Sequence, residues 1–397
     1  MSEKSYQNSC ALVLGGHVNG YSIIKELYEQ GIRNIVLFDY GKSLARYSNK
    51  IIYKKQIEIS PESLLAELKN LYEAFKYIVI FPTDDLQLEY LHVIHAEISE
   101  FCYLPFNNET IIKATDKFFQ YQVCEKNDVP YPKTINARKV DHLETIIGHL
   151  AFPLLIKPST RKDSTVDVFR ALYVETPESY TQEKANLSGH IQAGIEFVIS
   201  EYIPGNDTNI YAYTCFRSQE GKILNEWTGK KLTQYPDNYG IFSSASNEAP
   251  EAVLIQGRKL VQSLGAYGID EPEFKYDHRD GEFKLMETNF RSMMWHRMGS
   301  ISGVKLHSTQ YNYAVGKPTF SYQQDKTLIT HFVLMLHEIP NLIARPAYWK
   351  NFKYNVFGGD KRVWAIFELN DIKPFLFSLL VLVKMGVVAC RRKFRQQ

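Results

Sequence analysis

Three residues around position 280 have the types and spacing to hold a hard cation. Glu287 and Asn289 stand two apart in Glu-Thr-Asn-Phe-Arg, and Glu273 lies upstream across an Asp280-Gly281 dipeptide, a strong hairpin signal. Residues two apart on a strand share a face, so Glu287 and Asn289 point together and a hairpin partner can bring Glu273 beside them. Two carboxylates and an amide oxygen form a hard-oxygen set suited to Mg²⁺, which also accepts phosphate oxygens. Arg291, two further on, follows the same face, where a guanidinium can grip a phosphate or a developing oxyanion. A solvated acidic hairpin with an ordinary surface arginine is the bland alternative.

Two lysines could supply phosphate contacts. Lys157 ends the apolar run Pro-Leu-Leu-Ile-Lys-Pro, and a charge at the end of a buried strand is unusual without a partner. Lys117, in Thr-Asp-Lys, opens a helix, where the dipole disfavours a cation unless an anion is near. Either lysine alone could equally snorkel at the surface.

A third constellation follows the first strand. Gly15-Gly16-His17-Val18-Asn19-Gly20 turns a strand into a helix, with Asp39 about where a ribose-binding acid would stand. His17 occupies the position of the glycine that lets backbone approach a pyrophosphate, which argues against a dinucleotide-dependent oxidoreductase. Gly16 and His17 can instead offer backbone N–H groups to an anion such as a carboxylate, or simply form a tight turn. Asp84 and Asp85 follow another strand, where open parallel sheets place ligands, and could hold a substrate amine; helix capping by Asp85 is the alternative.

The elements that must position these residues fall into a rhythm. Cys10–Gly16, Asn34–Asp39 and Tyr77–Phe81 read as strands, with helices from about Tyr21 and from Ser60-Pro61 between them. That βαβ alternation predicts a parallel sheet covered by helices. A helix from Asp116 to about Asn127, a strand at Pro153–Lys157 and a helix capped by Thr176-Pro177 come next. Longer strands follow at Glu196–Ile203, Asn209–Arg217 and Ile223–Lys230, then a helix at Glu251–Leu264 and the hairpin Glu273–Asp277/Glu282–Thr288.

Composition fits a folded globular chain of two or three domains: 397 residues, 45% hydrophobic and 23% charged. A net charge of +2 gives no bulk attraction to nucleic acid. The five scattered cysteines form no Cys-x-x-Cys pair, which suits a reducing cytoplasm and opposes a structural zinc site. The polar N-terminus lacks a signal-peptide profile. From Phe375 to Cys390 the chain is apolar except for Ser378, Lys384 and Gly386, and Arg391, Arg392, Lys393 and Arg395 follow. This run is short of the ~20 residues a membrane-spanning helix needs. It reads as a buried terminal helix or as a shallow attachment to the inner face of the membrane.

Taken in order, the lysines, the acidic hairpin and the sheet domain resemble the ATP-grasp superfamily, most of all carboxylate–amine ligases of the biotin-carboxylase-like and D-aspartate-ligase-like kind. The resemblance runs from about 10 to 320. It implies an α/β and α+β architecture: a pre-ATP-grasp parallel-sheet domain (1–112), then ATP-grasp subdomains at 113–195 and 196–320, with a C-terminal extension at 321–397. It implies that Lys117 and Lys157 hold ATP phosphates and that Glu196–Gly205 is the interdomain strand that reads adenine. There Glu201, Tyr202 and Ile203 would meet the base, chiefly through the backbone of Glu201 and Ile203, and Asp207 would meet the ribose. Lys231, in Gly229-Lys230-Lys231-Leu232, would approach the phosphates. Glu273, Glu287 and Asn289 would ligate Mg²⁺ (or Mn²⁺), and Arg291 would act in catalysis. The sequence departs from the pattern after Lys157, where Ser-Thr-Arg-Lys-Asp-Ser-Thr has no glycine and Arg161 or Lys162 would have to replace backbone N–H groups. Ser200 also stands where a longer polar side chain often helps read adenine.

The implied activity is ATP-dependent joining of a small-molecule carboxylate to an amine through an acyl phosphate. No Ser–His–Asp or Cys–His nucleophile is required, so His278 and His296 read as surface or structural residues. The basic, apolar C-terminus hints at an amino acid joined to a cell-envelope glycan or its precursor. A non-catalytic ATP-binding regulator and an ATP-dependent carboxylase of the same fold are the alternatives.

Overall fold

The computed structural model describes residues 8–159, 168–236 and 240–395. Three sheets follow one another along the chain. The first contains β1 (Ser9–Leu14), β2 (Ile35–Asp39), β3 (Tyr53–Gln56), β4 (Tyr77–Phe81) and β5 (Cys102–Tyr103) in the order β3-β2-β1-β4-β5, all parallel. All six residues of β1 are buried, as a strand covered on both faces requires. Its even-numbered side chains, Cys10, Leu12 and Leu14, pack with α2 (Pro61–Ala74) and α3 (Asp85–Val93). Ala11 and Val13 pack with α1 (Val18–Glu29) on the other face. The cap expected at Ser60-Pro61 is present: the Ser60 side chain accepts from Ser63 N, with Pro61 in the first turn.

Helix α4 (Lys117–Lys126) opens from Asp116, whose side chain accepts from Phe119 N. It leads into a four-stranded antiparallel sheet of β6 (Thr134–Ala137), β7 (Leu154–Pro158), β8 (Leu172–Val174) and β9 (Phe197–Glu201), ordered β6-β9-β7-β8, together with α5 (Pro177–Gln192).

The third sheet has seven strands: β10 (Ile210–Arg217), β11 (Ile223–Tyr235), β12 (Ile241–Ser246), β13 (Gly268–Asp277), β14 (Glu282–Asn289), β15 (Thr330–Val333) and β16 (Lys361–Trp364). Their order is β14-β13-β10-β11-β12-β15-β16. The C-terminal segment thus extends this sheet through β15, antiparallel to β12, and β16, parallel to β15. Helices α6 (Glu251–Leu264), α7 (Leu306–Ala314), α8 (Met335–Ala344), α9 (Trp349–Phe357) and α10 (Ile372–Arg395) complete the longer elements.

Two of the hydrophobic cores mix residues of the first and third sheets, for example Leu12 with Phe274 and Val13 with Trp227. A third is built from residues 137–199 alone, around Leu154, Ile156, Tyr180 and Phe197. The C-terminal segment is tied to the first sheet's domain by Asp371. Its carboxylate accepts from the Tyr21 hydroxyl at 3.1 Å, Ser48 Oγ at 2.5 Å and Asn49 N at 3.0 Å.

Candidate active site

The hairpin forms with the expected pairing but is longer than expected, and Glu273 stands opposite Glu287 with Glu271 opposite Asn289. These four side chains share one face. Just beyond Glu273 the register slips at a β-bulge: Phe274 pairs with Leu285, which leaves Met286 as the extra residue. Met286 O accepts from the Tyr121 hydroxyl of α4 at 2.9 Å. Gln120 fixes the same helix to β14 by two hydrogen bonds, accepting from Thr288 N at 2.8 Å and donating to Thr288 O at 3.3 Å. This clamp sets Lys117 against Glu287, with Nζ to Oε2 at 3.1 Å. The anion that a cation at this helix N-terminus needs is therefore Glu287.

A second lysine–carboxylate pair lies beside the first. Lys231 of β11 reaches Glu273 Oε2 at 2.7 Å. Burial acts to lower Lys231, but Glu273, together with Glu287 and Glu271, offsets it and holds the ammonium above its ordinary value. Glu287 is held well below the usual carboxylate range, first by Lys117 and also by Lys157 and Lys231. Lys157, on β7 of the four-stranded sheet, is pushed down to about 8 by burial and by the nearby Lys117 charge. Three ammonium groups from three different elements thus converge on two carboxylates.

All of these residues line one cleft of about 1890 Å³. Glu201, Tyr202, Ile203 and Asp207 line it at the end of β9, and Asp84, Asp85 and Arg291 line it where the first domain meets the hairpin. The Glu201 amide donates to Lys133 O and its carboxylate accepts from Ala151 N, each at 2.9 Å. Asp207 accepts from Gln234 N at 3.1 Å. Ser200 Oγ contacts Thr134 Oγ1 at 2.9 Å, which employs the short side chain in joining β9 to β6. Arg161 and Lys162 lie outside the described residues.

Two expectations for the first domain change. Gly16 and His17 are not among the cleft-lining residues. Gly15 has φ +93°, and a Cβ on Gly16 would lie 2.0 Å from Ser43 Oγ, so the glycines serve a tight turn. His17 is the exposed N-cap residue of α1 and makes no side-chain cap bond. The cap of α3 is Asp84, not Asp85: Asp84 Oδ1 accepts from Leu86 N at 2.9 Å in a capping box with Gln87. Asp85 instead takes a bidentate bond from Arg291, Nε to Oδ1 at 2.6 Å and Nη2 to Oδ2 at 3.0 Å. In this arrangement neither aspartate is presented as an uncommitted amine site.

Other side chains in and around the cleft escaped the sequence reading. Lys275, two beyond Glu273, sits over the Tyr202 ring at 4.9 Å and adds a cation to the cleft wall; the strand alternation already used for Glu273 was the available signal. Arg345, Tyr348 and Asn351 bring the C-terminal segment to the same cleft. Further along the same face of the hairpin, Glu271 is fully buried, with His296 Nε2 at 2.5 Å and Trp295 Nε1 at 3.0 Å. Burial raises Glu271 to about 7 and holds His296 well below its ordinary value. Ser292 Oγ contacts His307 Nε2, and His307 Nδ1 is 2.7 Å from Glu26 of α1. This polar run seats the loop that carries Arg291. His296 is structural, as expected, and His278 is exposed beside Asn209.

Among the described residues, no three His, Cys, Asp or Glu side chains are grouped to hold a metal by themselves. Glu273, Glu287 and Asn289 nevertheless suit a hard divalent cation that draws further ligands from phosphate. All three donors are oxygens on one face, and the two carboxylates stand opposite each other across the hairpin.

No protein-family model matches the chain. A D-aspartate ligase from Enterococcus faecium is 26% identical over 317 residues, 70% of each protein. Among solved structures, an ADP complex of N5-carboxyaminoimidazole ribonucleotide synthetase superposes with a TM-score of 0.65 at 13% identity, covering 88% of both chains. An L-amino acid ligase from Bacillus licheniformis superposes with a TM-score of 0.61 at 14% identity, covering 81% of this chain and 80% of that one.

Proposed function

We propose that this chain, which shares the ATP-grasp fold with solved ligases and 26% identity with a D-aspartate ligase, is a carboxylate–amine ligase whose cleft transfers the γ-phosphoryl group of ATP to a bound carboxylate and hands the acyl group to an amine. The observation that carries this reading is the convergence of Lys117, Lys157 and Lys231 on Glu273 and Glu287, with Arg291 on the same side. A polyanion entering there meets three ammonium groups. Phosphoryl transfer depends mostly on positioning and charge neutralisation, which is what such a cluster supplies.

Glu273, Glu287 and Asn289 would hold Mg²⁺ or Mn²⁺, which neutralises and orients phosphate oxygens when bound. The carbonyl of Glu201 and the amide of Ile203 would pair with adenine, Tyr202 would wall the base, and Asp207 would meet the ribose. The substrate carboxylate attacks the γ-phosphorus and ADP leaves; the amine then attacks the acyl carbon, phosphate leaves and the amine gives up a proton. Arg291 would stabilise the oxyanion of that second step. Asp85, which holds Arg291, would yield it to the incoming carboxylate.

The name of the enterococcal relative favours an amino acid as the carboxylate substrate, and the acceptor amine we favour is a cell-envelope glycan or precursor. ADP release with ATP, Mg²⁺ and a panel of amino acids, with and without amine acceptors, tests the reading. Amine-dependent ADP and amide formation supports it. Turnover with bicarbonate alone would assign a carboxylase instead, and nucleotide binding without turnover on any member would favour a regulator.

The role given to Lys157 has its own test. Lys157→Ala should lose about 1.5–3 kcal/mol of ATP affinity, the scale of hydrogen bonds to charged groups. With the lysine at about 8 in the free protein against an ordinary 10.5, phosphate favours the protonated form, so ATP binding should take up a proton near pH 8.5 and little near pH 6.5. Calorimetry in buffers of different ionisation enthalpy measures both, and the uptake should vanish in Lys157→Ala. For folding the sign is the reverse of that for a stabilised lysine. Between about 8 and 10.5 the unfolded chain carries a proton that the native chain lacks, so this group's contribution to stability rises with pH across that window.

A further inference from the structure

Helix α10 is apolar on two opposite sides. One side packs on the protein: Pro374 and Ser378 are buried, and the Phe377 ring stacks on Tyr47 at 4.7 Å. The other side carries Ile372, Leu376, Leu379, Leu380 and Val383, which are 36%, 52%, 41%, 61% and 64% exposed. At ~100° per residue these five fall within a stripe about 100° wide. Leu369, 80% exposed, precedes the stripe, and the exposed Lys373 and Lys384 lie along one edge of it. A terminal helix that served only the core would present polar residues on this side.

Charge identifies what covers the stripe. After Asp371 the sequence holds Lys373, Lys384, Arg391, Arg392, Lys393 and Arg395 and no aspartate or glutamate. A second copy docked through a two-fold axis would set these like charges against themselves. Anionic headgroups complement them, while acyl chains accept the leucines. Among the described residues, no helix is long and apolar enough to cross a membrane. We propose that α10 lies flat on an anionic membrane surface, with Leu376, Leu379, Leu380 and Val383 inserted at the headgroup boundary and the catalytic body held beside it.

Flotation of the full chain with phosphatidylcholine vesicles containing about 30 mol% phosphatidylglycerol, against phosphatidylcholine alone, tests this. The parent should float with the anionic vesicles, less so as salt rises. The double substitution Leu376→Glu and Leu380→Glu replaces exposed side chains and should keep the parent's thermal unfolding and ADP affinity. It should float at least about tenfold less. A parent chain that stays at the bottom with both vesicles, or a double variant that floats as well as the parent, overturns the proposal. So does a parent that sediments as a dimer, falls apart on the same double substitution and never floats, which would assign the stripe to a second copy.

Discussion

Glu287→Gln should reduce ADP formation by on the order of a thousandfold or more while leaving the fold intact. The substitution keeps the side chain's size and its place opposite Glu273. It removes the negative charge that both a cation and Lys117 use. The two losses act differently on nucleotide. Lys117 is released from its 3.1 Å pair and becomes available to phosphate, so ADP affinity without divalent ions should hold or rise. The increment that Mg²⁺ adds to nucleotide binding should disappear. Thermal shifts with ADP, with and without Mg²⁺, therefore separate a lost metal ligand from a damaged fold. Asn289→Ala should weaken the Mg²⁺ dependence in the same direction, by less. A Glu287→Gln enzyme close to parental activity on an identified substrate pair would remove the hairpin as the metal site and leave the ligase reading on fold analogy alone.

The second large effect is expected at Arg291. Arg291→Ala should lower kcat by about 10²–10³-fold, the scale of losing one oxyanion donor, with little change in nucleotide affinity. Burial acts against this guanidinium's charge, and Asp85, together with Asp84 and Glu287, more than restores it, so the group remains a cation at any working pH. Asp85→Asn serves as the contrast. It weakens the bidentate pair that occupies the guanidinium, so KM for the carboxylate should fall while kcat stays within a few-fold. If Asp85→Asn mimics Arg291→Ala, the pair is needed intact and the exchange of partners at Arg291 is wrong. Steady-state kinetics with saturating ATP distinguishes the two outcomes.

What could be read ahead of the structure was local. The two-residue alternation was enough to put Glu287 and Asn289 on one face, but Glu273 joins them only because the bulge at Met286 shifts the register by one; the register set at the Asp280-Gly281 turn would have placed Glu273 opposite Met286. The caps at Ser60, Asp116 and Thr176 are likewise decided within a few residues. What could not be read depends on partners far away in sequence. Arg291 and Asp85 are 206 positions apart, and Gln120 and Thr288 are 168 apart. Nothing in either member of such a pair specifies the other. The assignment of the α3 cap failed by one residue because two adjacent aspartates are equally good caps by type, and only the chain's direction at Asp84 selects it. The addition of β15 and β16 to the large sheet was invisible for a different reason. Each is four residues long, and β16 reaches its parallel neighbour only after two intervening helices.

The partition of the hydrophobic cores has a mechanical consequence. The first and third sheets share two cores and are strapped together again through Asp371, so they move as one jaw. The four-stranded sheet has its own core and, among the described residues, its strands contribute only Val198 to the shared ones, which makes it a second jaw with a soft hinge. Lys117, Lys231, Glu273 and Glu287 ride on the large jaw or on the helix clamped to it, whereas Lys157 and the Glu201–Ile203 segment ride on the small one. Across the gap Lys157 is repelled by Lys117 and Lys231 and attracted by Glu287 and Glu273, so the charges facing each other in the empty mouth oppose one another. A triphosphate between the jaws adds attraction on both sides at once. The ammonium groups of the two jaws then share one polyanion, and the charge of the ligand itself works to draw the mouth shut.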